Sequence, residues 1–224
     1  MRDNTTSQPA QEYDANIHKT LPLYDSFHDS ALRLAETVTP RPAAWLDTGC
    51  GTGTLVFKAA RLFPGTAFTL ADPAAAMLEI AAGKLAGAAS CEYLAAGTDA
   101  LACPPASFDV ITAIMAHHYF DRESRRQATA NCLRMLKEGG VYITFEHIMP
   151  ASGEGRRIGL ECWRQDQIRQ GKEAAAAAKH INRFGVEYFP ITIADHLALL
   201  QATGFTTVEL LWASGMQAGF YAIR

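Results

Sequence analysis

Apolar and polar positions alternate in short blocks from about residue 43 onward. Residues 43–47 (AAWLD), 66–72 (TAFTLAD), 91–97 (CEYLAAG), 108–116 (FDVITAIMA) and 141–147 (VYITFEH) are short apolar runs that read as buried strands. Between them, 55–63, 74–87 and 123–137 carry apolar side chains at helical spacing, and each closes at a glycine or at Pro-Gly. Strand and helix in alternation imply an α/β fold, a parallel sheet with helices on both faces. The rhythm breaks at 150–190, where PASGEG, a long polar helical stretch and GVEYFP read as an insertion with its own helix pair. A helix ending at Gly204 follows, then two strands near 205–212 and 216–223, spaced for an antiparallel hairpin.

Composition narrows this picture. A chain of 224 residues with net charge −3 suits a single domain, 1–224, carrying a modest insertion. The hydrophobic fraction of 49% includes 39 alanines, so much of it is small side chains suited to close helix packing. Eleven Phe, three Trp and seven Tyr are too many to leave solvated, which excludes a disordered chain. The longest uncharged run, Leu210 to Ile223, has 14 residues. A membrane span needs about 20, so no membrane association is expected. The charge argues against a nucleic-acid binder. The start, MRDNTTSQPAQEYD, lacks the apolar stretch of a secretory signal. Five widely spaced cysteines without a CxxC pair form no disulfide framework or zinc site. A cytoplasmic location, reduced thiols and no metal are the expectations.

The chemistry concentrates at Leu46-Asp47-Thr48-Gly49-Cys50-Gly51-Thr52-Gly53, directly after the first strand and opening the next helix. Glycines there permit a tight turn and close approach of a ligand to the backbone, and a helix N-terminus favours a negative group. This points to a nucleotide-type cofactor. Asp72, 19 residues after Gly53 at the end of the second strand, can accept both ribose hydroxyls of an adenosine. It can equally cap the helix over 74–87, and the two roles are compatible.

The block LDTGCGTG closely resembles the first motif of class I S-adenosylmethionine-dependent methyltransferases. Ala96-Gly97-Thr98-Asp99-Ala100-Leu101 and Ala106-Ser107-Phe108-Asp109-Val110-Ile111 resemble that family's adenine-side loop and fourth strand. His117-His118 resembles the pair often found just after that strand, and Leu133 to Gly140 the turn into the fifth. The resemblance covers roughly 43–147. With the terminal hairpin it implies a Rossmann-like, seven-stranded, mostly parallel sheet whose last strand is antiparallel. It implies S-adenosyl-L-methionine as cofactor, S-adenosyl-L-homocysteine as product and a small-molecule substrate. By that resemblance Gly49, Cys50 and Gly51 contact the methionine part through backbone atoms. Asp47 orders the loop or reaches the amino group through water. Asp72 holds the ribose with Pro73 beside it. Gly97 and Thr98 face adenine, with Asp99 nearby as a substitute for an acid that many relatives have at Gly97. Ala113 to Met115 lie near the sulfonium.

A narrower similarity, to carboxy-S-adenosylmethionine synthases, is carried by Leu21-Pro22-Leu23-Tyr24 and by Leu199 to Phe205 with Glu209 to Trp212. It implies that Tyr24 touches the cofactor. The arginine those enzymes use falls at Ile181, with Arg183 two residues on. A cofactor-modifying enzyme of that type is the alternative function, and a non-catalytic cofactor-binding module is a third. Nucleic-acid methylation is disfavoured, because Met115-Ala116-His117-His118 stands where an Asn-Pro-Pro-Tyr block would.

Methyl transfer needs a base only when the nucleophile must lose a proton. His117 and His118 are the candidates, with Glu146 and His147 behind them. The N-terminal helical segment, 1–40, is expected to cover the cofactor site through Tyr13 and Tyr24. The insertion is expected to form a lid over the substrate, contacted by Trp163, Arg183 and Tyr188. Residues 154–183 hold seven Lys/Arg and four acids, which leaves −6 for the rest of the chain. That excess reads either as a solvated helix face with local ion pairs or as a basic lid facing an anionic small molecule.

Overall fold

A computed structural model describes residues 4, 6 and 8–224. Residues 1–3, 5 and 7 of the expected N-terminal segment lie outside the described residues. The chain runs α1 (Tyr13–Thr20), α2 (Tyr24–Val38), β1 (Ala44–Thr48), α3 (Thr54–Leu62), β2 (Ala67–Ala71), α4 (Ala75–Leu85), β3 (Ser90–Leu94) and β4 (Phe108–Ile114). It continues through α5 (Arg122–Met135), β5 (Leu136–His147), α6 (Gly153–Arg169), α7 (Ala174–Ile181), α8 (Ile193–Thr203), β6 (Thr207–Ser214) and β7 (Gln217–Ile223). The seven strands form one sheet in the order β3-β2-β1-β4-β5-β7-β6. β1 through β5 pair in parallel, and β7 is antiparallel to both its neighbours. This is the expected Rossmann-like architecture with an antiparallel final strand.

Alternation along each strand builds two cores. Trp45, Val110, Val141, Ile143 and Phe145 face α2 and α3, where Ala31, Ala35 and Ala59 let the helices approach closely. Leu46, Ile111, Tyr142 and Phe220 face α5 and α8 on the other side. The surplus of alanine is thus accounted for in part by fully buried helix faces. α8 begins with a capping box, Thr192 Oγ1 accepting from Asp195 N, and ends at Gly204.

One boundary differs from the sequence pattern. Helix α5 ends at Met135 and the chain is already extended at Leu136, so Gly139-Gly140 lies inside β5 instead of stopping the helix. The reason is lateral pairing. Leu136 pairs with Phe108 across a bulge, Lys137 pairs with Asp109 at 2.8 Å, and a Cβ at Gly140 would crowd the Asp109 carbonyl and the Leu136 side chain.

The insertion forms α6 and α7. It closes onto α1 through Trp163, whose Nε1 donates to Thr20 O at 2.8 Å. The strand order reverses at β1, with β2 on one side and β4 on the other. Such a switch point opens a crevice at the carboxyl ends of the strands, and α1, α6 and α7 roof it.

Candidate functional site

The turn after β1 opens the site. Gly49 has φ +63°, and a Cβ there would overlap that of Ala116 beyond β4. The backbone of this turn therefore lies against the β4 end as only glycine allows. Gly51 N donates to Asp72 Oδ2 at 3.0 Å, and Ala74 N donates to Asp72 Oδ1 at 2.9 Å. Asp72 thus fixes both the turn and the entry to α4. Burial raises its carboxyl pKa, and the two amides oppose that shift. Each carboxylate oxygen retains a lone pair for a ligand hydroxyl.

A cavity of about 210 Å³ lies in front of this turn. Of the sequence candidates, Gly49, Gly51, Asp72, Pro73, Gly97 and Thr98 form its wall. Met77, Ile114, Met115, Ala116, Tyr119, Phe120 and Tyr13 complete it, with Asn4 and Thr6. Of these, Met77, Tyr119, Phe120, Asn4 and Thr6 were not legible as site residues, because only folding brings them to the switch point. A carboxylate, a glycine backbone and a flat apolar wall suit an adenosine-bearing ligand.

Other candidates stand outside that wall. Ala113 is fully buried in the opposite core, because alternation along β4 turns Ile114 and not Ala113 to the cavity. Tyr24 packs edge-on against His28, with ring centroids 4.4 Å apart. The Cys50 thiol turns back toward Gly51 O. The Asp99 carboxylate folds against Gly97, and the residue's carbonyl accepts from Asn131. Asp47 lies behind the turn, where Thr112 Oγ1 donates to its Oδ1 at 2.7 Å.

Burial raises the Asp47 pKa to about 7. Its unfolded value is near 3.9, so the folded state binds the proton more tightly. Stability is lost as pH rises through that window, by at most about 4 kcal/mol once the group is fully ionised. Asp47→Asn keeps the acceptor for Thr112 and removes the charge. Its melting temperature is expected to exceed that of the parent at pH 8, and the gap should close by pH 4.5. Thermal melts at both pH values check this, and a gap independent of pH would contradict it.

A smaller cavity of about 40 Å³ adjoins the first and shares Thr6, Tyr13, Met115 and Tyr119 with it. Met115 adopts φ +56°, a strained conformation for a side-chain-bearing residue, at the junction of the two cavities. His118, His147, His180, Tyr188, Gln8, Ile17, Thr20 and Leu21 form the remaining wall.

The two neighbouring histidines separate here. His118 lines the small cavity, and its Nδ1–H donates to Glu146 Oε2 at 3.0 Å. Glu146 is fully buried and also accepts from the backbone amides of His117 and His118 and from Thr144 Oγ1. Burial, then Arg125 and Arg183, hold His118 well below the usual histidine range, so its imidazole is neutral. With the proton on Nδ1, Nε2 is left as the basic atom. His117 is outside both cavity walls. Its Nε2 meets Thr98 Oγ1 and its Nδ1 meets Tyr142 OH, each at 3.1 Å, so both ring nitrogens are engaged. Burial pushes it down to about 4.

Of the three lid candidates, Tyr188 lines the small cavity. Trp163 is buried between Thr20 and His147, 4.6 Å from the His147 ring. Arg183 stands behind Tyr188, its Nη1 donating to Tyr188 OH at 2.6 Å and its Nε to Glu187 at 3.0 Å. Among the described residues no group of three His, Cys, Asp or Glu side chains could hold a metal ion. Among those residues no helix is long and apolar enough to cross a membrane.

Comparison with known proteins adds the following. Residues 46–140 match the model of a family described as "Methyltransferase domain". The chain is 40% identical over 214 residues to a nocamycin O-methyltransferase from Saccharothrix syringae, covering 84% of this chain and 70% of that protein. It is 24% identical to a carboxy-S-adenosyl-L-methionine synthase from Campylobacter concisus, covering 96% and 92%. A solved S-adenosylmethionine-dependent methyltransferase from Leishmania major superposes with a TM-score of 0.68 at 15% identity, covering 97% and 79%, a likeness of fold.

Proposed function

The chain belongs to the class I S-adenosylmethionine-dependent methyltransferases, and from that premise we propose that it methylates a small anionic acceptor held in the smaller cavity, with His118 as general base. The observation that carries this reading is the meeting of two cavities at Met115 and Tyr119, with His118 in the wall of the smaller one and the buried Glu146 bonded behind it.

The cofactor, when bound, supplies an electrophilic methyl on a sulfonium. What remains for the chain is alignment, exclusion of water and one proton. Gly49, Gly51, Asp72, Pro73, Gly97 and Thr98 hold the cofactor, with Met77 and Phe120 as the apolar wall. Met115 and Tyr119, common to both cavities, set the line between donor and acceptor. His118 Nε2 takes the proton of an acceptor hydroxyl or amine. Glu146 orients the ring and stabilises the imidazolium that forms. The segment 1–40 and the insertion 150–190 act as covers within a single domain.

An anionic acceptor is supported by the excess of basic residues in 154–183. The carboxylated-cofactor alternative uses an arginine of the insertion to pair with the extra carboxylate, and neither Ile181 nor Arg183 lines either cavity. Arg183 instead engages Glu187 and Tyr188, so methyl transfer is the reading retained.

Calorimetry with the purified protein tests the premise. Both S-adenosylmethionine and S-adenosylhomocysteine are expected to bind at a single site. Transfer of labelled methyl into a small-molecule extract is expected to give product. Binding of neither ligand would overturn the proposal.

A further inference from the structure

Of the seven basic side chains in 154–183, four form ion pairs, while Arg156, Lys172 and Lys179 form none among the described residues; Arg156 and Lys179 are exposed and Lys172 is not. Arg157, Arg164 and Arg169 each pair with an acid three residues earlier on α6, and Arg183 pairs with Glu187. Lys172, in the turn between α6 and α7, is different. Its Nζ donates to Thr20 Oγ1 at 3.0 Å and to Gln167 Oε1 at 2.9 Å, and lies 3.4 Å from His180 Nδ1. Both of the acceptors, Thr20 and Gln167, are neutral. No carboxylate of the described residues lies within ion-pair distance of it.

With Gln167 Oε1 accepting from Lys172, the neutral His180 carries its proton on Nδ1. Arg183 donates to Tyr188 OH, Tyr188 OH donates to His180 Nε2 at 2.7 Å, and His180 Nδ1–H donates to Gln167 Oε1 at 3.0 Å. Burial and Lys172 keep His180 neutral, down to about 2. Gln167 is fully buried, and its Nε2 has no hydrogen-bond partner among the described residues. An unsatisfied buried donor costs free energy. Among the described residues, one half-buried cation without a counter-ion and one buried N–H without an acceptor therefore lie together. Thr20 and His180, which Lys172 touches, are wall residues of the small cavity.

We infer that Lys172, with Gln167, Thr20 and His180, forms the subsite for a carboxylate carried by the methyl acceptor. One half-buried cation with no carboxylate beside it among the described residues matches a monoanion, and the adjoining cavity of about 40 Å³ limits the acceptor to a short acid. The inference rests on the methyltransferase reading and names the substrate class for it. Its function would be orientation: the carboxylate anchors at the lid while the acceptor hydroxyl or amine lies toward His118.

The test uses the full chain saturated with S-adenosylhomocysteine. Glycolate, lactate and 3-hydroxybutyrate are titrated beside their primary amides. At least one acid is expected to bind about tenfold or more tighter than its amide. Lys172→Met should bring that ratio to near one, and Lys172→Arg should retain it. Affinity for S-adenosylhomocysteine should stay within about twofold in both variants, which also shows that they fold.

Acid binding to the parent should weaken as pH rises from 7 to 9. Burial, with Arg183 beside it, lowers the Lys172 pKa to about 8. The groups facing it are Thr20 of α1, Gln167 of α6, His180 of α7 and the Arg183 guanidinium. Of these His180 is already neutral, so the loss should be absent in Lys172→Arg. Acids binding no better than amides, or a preference that survives Lys172→Met, would overturn the inference and leave the methyltransferase reading intact. Failure of S-adenosylhomocysteine itself to bind would overturn both.

Discussion

Replacing His118 with glutamine is expected to lower turnover of labelled cofactor by about 10²- to 10⁴-fold, the usual contribution of a positioned general base. Affinity for S-adenosylhomocysteine should be unchanged, because His118 lines the small cavity and not the large one. Glutamine retains a hydrogen bond to Glu146 but has no lone pair of comparable basicity. The same replacement at His117 should act differently. That ring bridges Thr98 and Tyr142, so its loss should lower the melting temperature and cofactor affinity through Thr98. The pH–rate profile supplies an independent check. A base must be neutral to act, and burial with Arg125 and Arg183 keeps His118 neutral below the ordinary histidine range. The acid limb of kcat/KM should therefore fall below pH 6.5. A His118→Gln enzyme within threefold of the parent would remove His118 from the chemistry.

Gly49→Ala is expected to abolish measurable cofactor binding and to destabilise the fold. The residue sits at φ +63°, which costs a non-glycine roughly 1–2 kcal/mol. The new Cβ would also overlap that of Ala116, and overpacking adds typically 1–3 kcal/mol. Together these correspond to a fall of about 4–20 °C in melting temperature for a chain of this size. The strand ends can separate only by moving Ala116, which is in the cofactor cavity wall. Gly51→Ala makes the control. It carries a similar strain, φ +53°, but no atom lies within 4 Å of its added Cβ. It should melt higher than Gly49→Ala. Equal melting temperatures would show that backbone strain alone, and not the contact with Ala116, sets the cost.

The glycine turn and Asp72 side of the larger cavity was legible in the sequence, because its parts are short-range, whereas Tyr24, Asp47, Cys50, Asp99 and Ala113 fall outside its wall. The strand and the glycine turn are contiguous over Leu46 to Gly53, and Asp72 follows at the end of the next strand. A βα unit with that spacing places these groups together whatever the rest of the chain does. The boundary at Gly139-Gly140 was not legible, since pairing of β5 with β4, and not the local glycine preference, decides it.

The acceptor side depended on contacts between distant segments. Lys172 meets Thr20 across 152 residues, and Trp163 meets Thr20 across 143. No periodicity in a single chain records such encounters. Two adjacent histidines likewise look equivalent in sequence. In a tight turn at the edge of a sheet their side chains diverge, so His117 joins Thr98 and Tyr142 while His118 joins Glu146 at the acceptor cavity. The sequence by itself determined the α/β alternation, the glycine turn and the carboxylate that fixes it, because local periodicity and backbone stereochemistry suffice for them. Only the tertiary structure decided which histidine lines a cavity and which lid cation is half-buried without a carboxylate beside it among the described residues, because burial and counter-ions are properties of packed neighbours.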